Sequence, residues 1–115
     1  MRIGELSRRT GVSIRLLRYY EEQGLLSPLR EQNGYREYQE ADIGVVRQIR
    51  MLLAAGLPTH VIASLLPCVR EEGERLVLCL EMAEELKGER VRIDQQIEML
   101  TASRRLLDEV IAAAR

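Results

Sequence analysis

Ile3-Gly4-Glu5-Leu6-Ser7-Arg8-Arg9-Thr10-Gly11-Val12-Ser13, continued by Ile14-Arg15-Leu16-Leu17-Arg18-Tyr19-Tyr20-Glu21-Glu22-Gln23, is the stretch on which the fold turns. Ile3, Leu6, Val12, Leu16 and Leu17 recur at the spacing that lets two short helices share one apolar seam. Gly11 falls between them, where a residue without Cβ takes a left-handed turn most easily. Ser13 is a natural N-cap, because its hydroxyl accepts a backbone N–H that the start of the second helix leaves unpaired. Gly24 ends that helix as a C′ glycine does. The pattern is a helix-turn-helix.

Downstream, Ser27-Pro28 breaks the helical pattern, and Asn33-Gly34 is a strong hairpin signal because both residues tolerate positive φ. On the return strand Tyr35 and Glu37 share one face, with Arg36 and Tyr38 on the other. All four tyrosines lie between positions 19 and 38, and the chain has no Phe or Trp. A helix pair followed at once by a basic, tyrosine-bearing hairpin points to double-stranded DNA as partner. Arg15 and Arg18 are one turn apart and share a face. Arg15 is expected at a base edge and Arg18 at a phosphate, with Ser13 or its N–H at another phosphate. Tyr19 and Tyr20 point to different sides of the helix, so one faces DNA and the other packs in the core. On the hairpin Arg36 is the expected phosphate contact, flanked by Tyr35 and Tyr38. The alternative for Tyr38 is a packing role over the top of the third helix.

That third helix is expected from near Glu40. Glu40 and Asp42 stand in its first turn, Ile43, Val46, Ile49, Leu52 and Leu53 form its buried stripe, and Gly56 stops it. A fourth helix, from about Thr59 to Leu66 between Pro58 and Pro67, carries an exposed His60. From Leu76 the pattern changes. Leu76, Cys79, Ala83, Leu86, Arg90, Ile93, Ile97, Leu100, Arg104, Leu107 and Ile111 alternate at spacings of three and four. That is a coiled-coil seam of about five heptads. A helix this long has little of its own chain to pack against, so its expected partner is a second copy. Leu86, Ile93, Ile97, Leu100, Leu107 and Ile111 are the expected dimer contacts, and Arg90 and Arg104 would fix orientation by pairing with acids across it. The expected division is a DNA-binding domain over residues 1–70, a hinge at 71–75 and a dimerisation helix over 76–115.

Charge supports this division. Up to Arg50 there are nine Arg against seven acids, and from Met51 onward eight basic residues against eleven acids. The positive surplus is small and local, which fits phosphate contact by a patch. Lys87 is the single lysine, and arginine's planar fork suits phosphates and base edges. Nothing resembles a nucleophile with its base, a paired acid site or a nucleotide loop, so no enzymatic activity and no cofactor are expected. No signal-like or membrane-spanning apolar run is present, which points to a cytoplasmic, bacterial-style protein. Two cysteines are too few for a disulfide scaffold. As Cys68 and Cys79 they are expected to be small apolar residues, and no metal site is expected. The alternatives are a thiol- or metal-responsive sensor using Cys79 and Cys68, with DNA binding as output, or an architectural protein with weak sequence preference.

The Arg18-Tyr19-Tyr20-Glu21 and Gly34-Tyr35-Arg36-Glu37-Tyr38 blocks, the Ala55-Gly56-Leu57 stop and the terminal seam together resemble the MerR family of bacterial transcription regulators. The resemblance implies a mainly α protein, a winged helix-turn-helix followed by a long helix that dimerises as an antiparallel coiled coil. It implies a homodimer on a near-palindromic promoter operator, acting by DNA distortion and reaching RNA polymerase only through the promoter DNA. It assigns DNA contact to Arg18 and Tyr19, makes Tyr20 structural, and puts His60 where relatives bring a basic residue to the DNA backbone. It also sets Cys79 near a ligand position of metal-sensing members, which complete that site with cysteines after the long helix. Here the sequence ends at Arg115, so a short member without a large effector domain is expected. Two positions depart from the family pattern: Gln39 replaces the usual cap before the third helix, and Pro58 the usual Ser or Thr before the fourth.

Overall fold

The computed structural model describes residues 1–30 and 33–115. It divides into two units, Met1–Leu78 and Cys79–Arg115. The first contains α1 (Ile3–Thr10), α2 (Ile14–Glu22), β1 (Leu29–Arg30), β2 (Arg36–Glu37), α3 (Ala41–Ala54), α4 (Thr59–Leu65), a 3-10 turn (Leu66–Cys68), β3 (Arg70–Glu72) and β4 (Arg75–Val77). The second is a single helix, α5 (Leu80–Ala112).

The turn between α1 and α2 is held by its own polar groups. Gly11 takes φ 75°, and its N–H donates to the Ser7 carbonyl at 2.9 Å. Ser7 Oγ donates to the Val12 carbonyl at 2.6 Å, and Thr10 Oγ1 donates to the Leu6 carbonyl at 2.8 Å. Ser13 Oγ then accepts the Leu16 N–H at 3.1 Å, the capping bond its sequence position implies. With the turn fixed, Leu6, Val12 and Leu17 are buried together with Tyr20. Leu16 does not join them: it is 40% exposed, because adjacent helical positions lie about 100° apart and Leu17 takes the inward one.

Packed against both α1 and α4, α3 buries Val46, Ile49 and Leu52. Ile62 and Leu65 of α4 close the core from the other side. Each such side chain contributes roughly 1.5–3 kcal/mol on burial. Of the two departures from the family pattern, the first is met by a local hydrogen bond, and at the second α4 starts without a side-chain cap. Asp42 Oδ2 accepts the Gln39 N–H at 2.8 Å, which caps the entry to α3 from inside the helix. After Pro58, Thr59 Oγ1 donates to Gln23 Oε1 at 2.9 Å and ties the start of α4 to the end of α2.

The expected hinge at 71–75 is a β-hairpin instead. Strands β3 and β4 pair antiparallel with Arg70 opposite Val77 and Glu72 opposite Arg75, and Gly73, at φ 65°, makes the turn. Arg47 of α3 clamps this hairpin, donating from Nε and Nη2 to the two carboxylate oxygens of Glu71 at 2.7 and 2.8 Å. Leu76 therefore lies in a strand, and Cys79 is the N-cap residue of α5, so the helical stretch opens later than the seam pattern does. Neither cysteine is the inert apolar thiol expected, since both are disulfide-bonded.

Not one residue of α5's 33 is buried. Ile97, Leu100, Leu107 and Ile111 are exposed, and Leu86 and Ile93 are half-buried. Among the described residues no helix is long and apolar enough to cross a membrane.

Candidate nucleic-acid interface

With Leu17 and Tyr20 turned into the core, the outer face of α2 is left to Arg15, Arg18, Tyr19 and Glu22, all exposed. These four line one shallow hollow. Ser13, at the head of the same helix, is exposed as well. Tyr20 is 1% exposed, and burial pushes its hydroxyl above the ordinary tyrosine range. The division between Tyr19 and Tyr20 follows from their adjacency on a helix.

The hairpin of β1 and β2 forms the wing, with Leu29 opposite Glu37 and Arg30 opposite Arg36. At its tip Asn33 Oδ1 accepts the Tyr35 N–H at 3.1 Å, and Gly34 takes φ 84°. Such an Asx turn presents the next side chain outward, and Tyr35 is 61% exposed.

Tyr38 is a correction. Expected among the DNA-facing wing residues, it is buried in the core at 1% exposure. Its N–H donates to the Met1 carbonyl at 2.7 Å, so the backbone there is pinned beside the start of the chain. Its hydroxyl donates to Glu21 Oε2 at 3.4 Å, and burial, then the Glu21 charge, pushes its ionisation up.

Glu21 is the residue that sequence reasoning passed over. Its carboxylate meets Arg36 Nε at 2.7 Å, Arg30 Nη2 at 3.1 Å and the Tyr38 hydroxyl. One acid on the reading helix thus gathers both wing strands, fixing where the wing stands relative to α2. Part of Arg36's charge is met by Glu21, although its side chain stays 38% exposed. Arg36 and Arg18 also border a second hollow, shared with Arg2, Ile3, Gly34 and Tyr35. Arg18 therefore adjoins both the helix face and the wing. His60 is exposed in α4 and lines neither hollow.

The family model for MerR HTH family regulatory proteins matches residues 1–68. The chain belongs to the MerR family. It is 32% identical over 113 residues to the HTH-type transcriptional regulator HmrR of Rhizobium leguminosarum bv. viciae, covering 98% of this chain and 85% of that one. It is 40% identical over 72 residues to heavy metal-dependent transcription regulator 2 of Rhizobium meliloti (strain 1021), covering 62% of this chain and 49% of that one. Among solved structures it is similar to the transcription regulator PbrR691 of Ralstonia metallidurans CH34, determined in complex with lead(II). There the TM-score is 0.82 at 27% identity, over 100% of this chain and 88% of the other. This MerR-family chain is thus a DNA-binding transcription regulator, and its relatives are regulators, not enzymes.

Proposed function

We propose that this regulator binds a near-palindromic promoter operator as a homodimer and acts by distorting the DNA, so that RNA polymerase is affected only through the promoter. The observation that carries this reading is the position of Arg18, which borders both the Arg15–Tyr19 face of α2 and the Tyr35–Arg36 wing. Two elements that share a cation at their junction engage one stretch of duplex together. Met1–Leu78 acts as the DNA-binding unit and α5 as the dimerisation helix, working in the cytoplasm. Arg15 reads a base edge, Arg18, Ser13 and Arg36 meet phosphates, Tyr19 and Tyr35 pack against the backbone, and His60 approaches a phosphate at the edge of the footprint. Leu86, Ile93, Ile97, Leu100, Leu107 and Ile111 form the seam between copies. The exposure of the last four supports a second copy, because aliphatic side chains at this spacing gain nothing from facing water. Two-fold symmetry then sets the half-sites about 34–36 Å apart or a multiple of that.

Arg18→Ala tests the reading. It should weaken binding to all duplexes and lower the slope of log K against log salt by ~1. An unchanged slope removes Arg18 from the phosphate contacts.

A second reading adds a soft-metal or thiol input at Cys79 and Cys68, favoured by relatives described as heavy metal-dependent. In the disulfide-bonded state neither sulfur is a thiolate, so reduction must come before metal binding. Titrating the reduced wild type and Cys79→Ser with soft metals while following operator release decides between them. Identical curves remove the sensor reading.

A further inference from the structure

We propose that the α5 seam closes in one antiparallel register, fixed by two ion pairs between copies: Arg90 with the partner's Asp108, and Arg104 with the partner's Asp94. This rests on the homodimer reading and deepens it by naming which residues of the second copy meet those of the first. α5 runs unbroken from Leu80 to Ala112, so Arg90 and Arg104, two heptads apart, occupy equivalent seam positions. Asp94 and Asp108 each follow one of them by four residues and flank the seam on the same side. All four side chains are exposed. Each Asp is within reach of its own Arg along the helix. Even so, among the described residues none of the four takes part in an ion pair or a side-chain hydrogen bond, and the ion pairs along α5 join Lys87 to Glu84 and Arg92 to Glu89.

Charge decides the orientation. In a parallel pair each seam residue faces its own copy, so Arg90 meets the partner's Arg90 and Arg104 the partner's Arg104. Glu89 then also flanks the partner's Asp94. An antiparallel pair separates all of these like charges. Charge selects the register too. With Ile97 opposite the partner's Leu100, Arg90 packs on the partner's Leu107 and Arg104 on the partner's Ile93. The stem of each arginine then covers an aliphatic side chain, and its head reaches the flanking carboxylate one residue further on, the partner's Asp108 or the partner's Asp94. Arg90 and Asp94 of one helix and the partner's Arg104 and Asp108 make a box of alternating charge. Slipping one heptad in one direction brings Arg104 beside the partner's Lys87 and Asp94 opposite the partner's Asp94. Slipping the other way sets Asp94 opposite the partner's Asp108. Either slip exchanges attraction for repulsion. One heptad moves the two starts of α5 by about 10 Å relative to each other, close to three base-pair steps of duplex. The Arg–Asp pairs thereby set the half-site spacing that the homodimer spans.

The test is the dimer dissociation constant of charge-swapped full-length variants, read by fluorescence-detected sedimentation with circular dichroism as the check on helix content. Arg90→Glu and Asp108→Arg should each weaken the dimer about tenfold or more, because every swap occurs twice per dimer. The double variant Arg90→Glu/Asp108→Arg restores opposite charges across the seam and should recover most of that loss. Arg90→Glu/Asp94→Arg restores them only within one helix and should dimerise no better than Arg90→Glu. If Arg90→Glu loses helix, Arg104→Glu, Asp94→Arg and their double variant carry the same comparison at the other pair. A wild-type dimer with no recovery in either cross-seam double variant, or with equal recovery in Arg90→Glu/Asp94→Arg, overturns the register and leaves the homodimer standing. Single variants that dimerise as wild type does also overturn it. A monomer mass for wild type removes the homodimer reading as well.

Discussion

The two units of this chain solve the same physical problem in opposite ways. Met1–Leu78 buries its own apolar residues: Leu6, Leu17, Tyr20, Tyr38, Val46, Ile49, Ile62 and Leu65 are all less than 2% exposed. Cys79–Arg115 holds a comparable supply of Leu, Ile, Val and Met and buries none of it. The first is a core that a short chain completes by folding back on itself through glycine turns. The second is a single helix of 33 residues whose apolar positions repeat at coiled-coil spacing, which makes a surface for another helix. An apolar residue therefore stabilises the fold in the first unit and the assembly in the second.

The largest expected effect comes from charging the second surface. The double substitution Leu100→Asp/Leu107→Asp should convert a dimer to a monomer in sedimentation equilibrium. It should lower operator affinity by about 10²–10⁴, the range lost when two linked binding modules become one. A dimer mass in that variant would show that the seam lies elsewhere. Next in size is a cavity in the first unit. Tyr38→Ala should cost about 3–5 kcal/mol by denaturant unfolding, in line with other large aromatic truncations. Leu100→Ala, by contrast, should change the unfolding of the monomer by no more than about 0.5 kcal/mol, as exposed sites do. Equal losses at the two positions would erase the distinction between the units.

Much of this contrast was legible in the sequence. The Gly11 turn, the Ser13 cap and the Asn33-Gly34 tip each depend on backbone rules that one or two residues decide, and each is present. The 71–75 segment was harder. Leu76-Val77-Leu78 is an apolar run too short for its period to separate strand from helix, and Gly73 reads equally as a hinge or a turn. Only its pairing with Arg70–Glu72 and the Arg47–Glu71 clamp decide it, and those contacts are tertiary. In the candidate interface, Arg15, Arg18 and Tyr19 were legible because helical spacing groups them. Tyr38 was not, because the bond from its N–H to the Met1 carbonyl joins the two ends of a long stretch of sequence. Glu21 escaped for the same reason: its partners Arg30 and Arg36 lie on the two wing strands.

Two smaller effects sharpen the contrast through pH. Burial raises the ionisation of Tyr20 and Tyr38 above the ordinary tyrosine range. The unfolded chain then loses these protons first, so stability should be full below about pH 10 and fall as pH rises beyond it. Tyr38→Phe should make that alkaline fall shallower in a series of thermal melts. Smallest is the acid limb. Glu40 is held below the ordinary carboxylate range, first by the hydrogen bond from Arg9, and Glu71 likewise by Arg47. Their contribution is present above that range and disappears as pH falls through the lowered values, so Glu40→Gln should flatten the acid end slightly. A melt whose acid limb is unchanged in Glu40→Gln would leave the Arg9 pair without a part in stability.

The joint use of both units is tested most directly by selecting duplexes from a random-sequence library with the pure full-length protein and sequencing those that bind. Inverted repeats whose half-sites are separated by a whole number of helical turns should be enriched. Recovery of a single asymmetric site, or of no preferred sequence at all, would contradict that joint use.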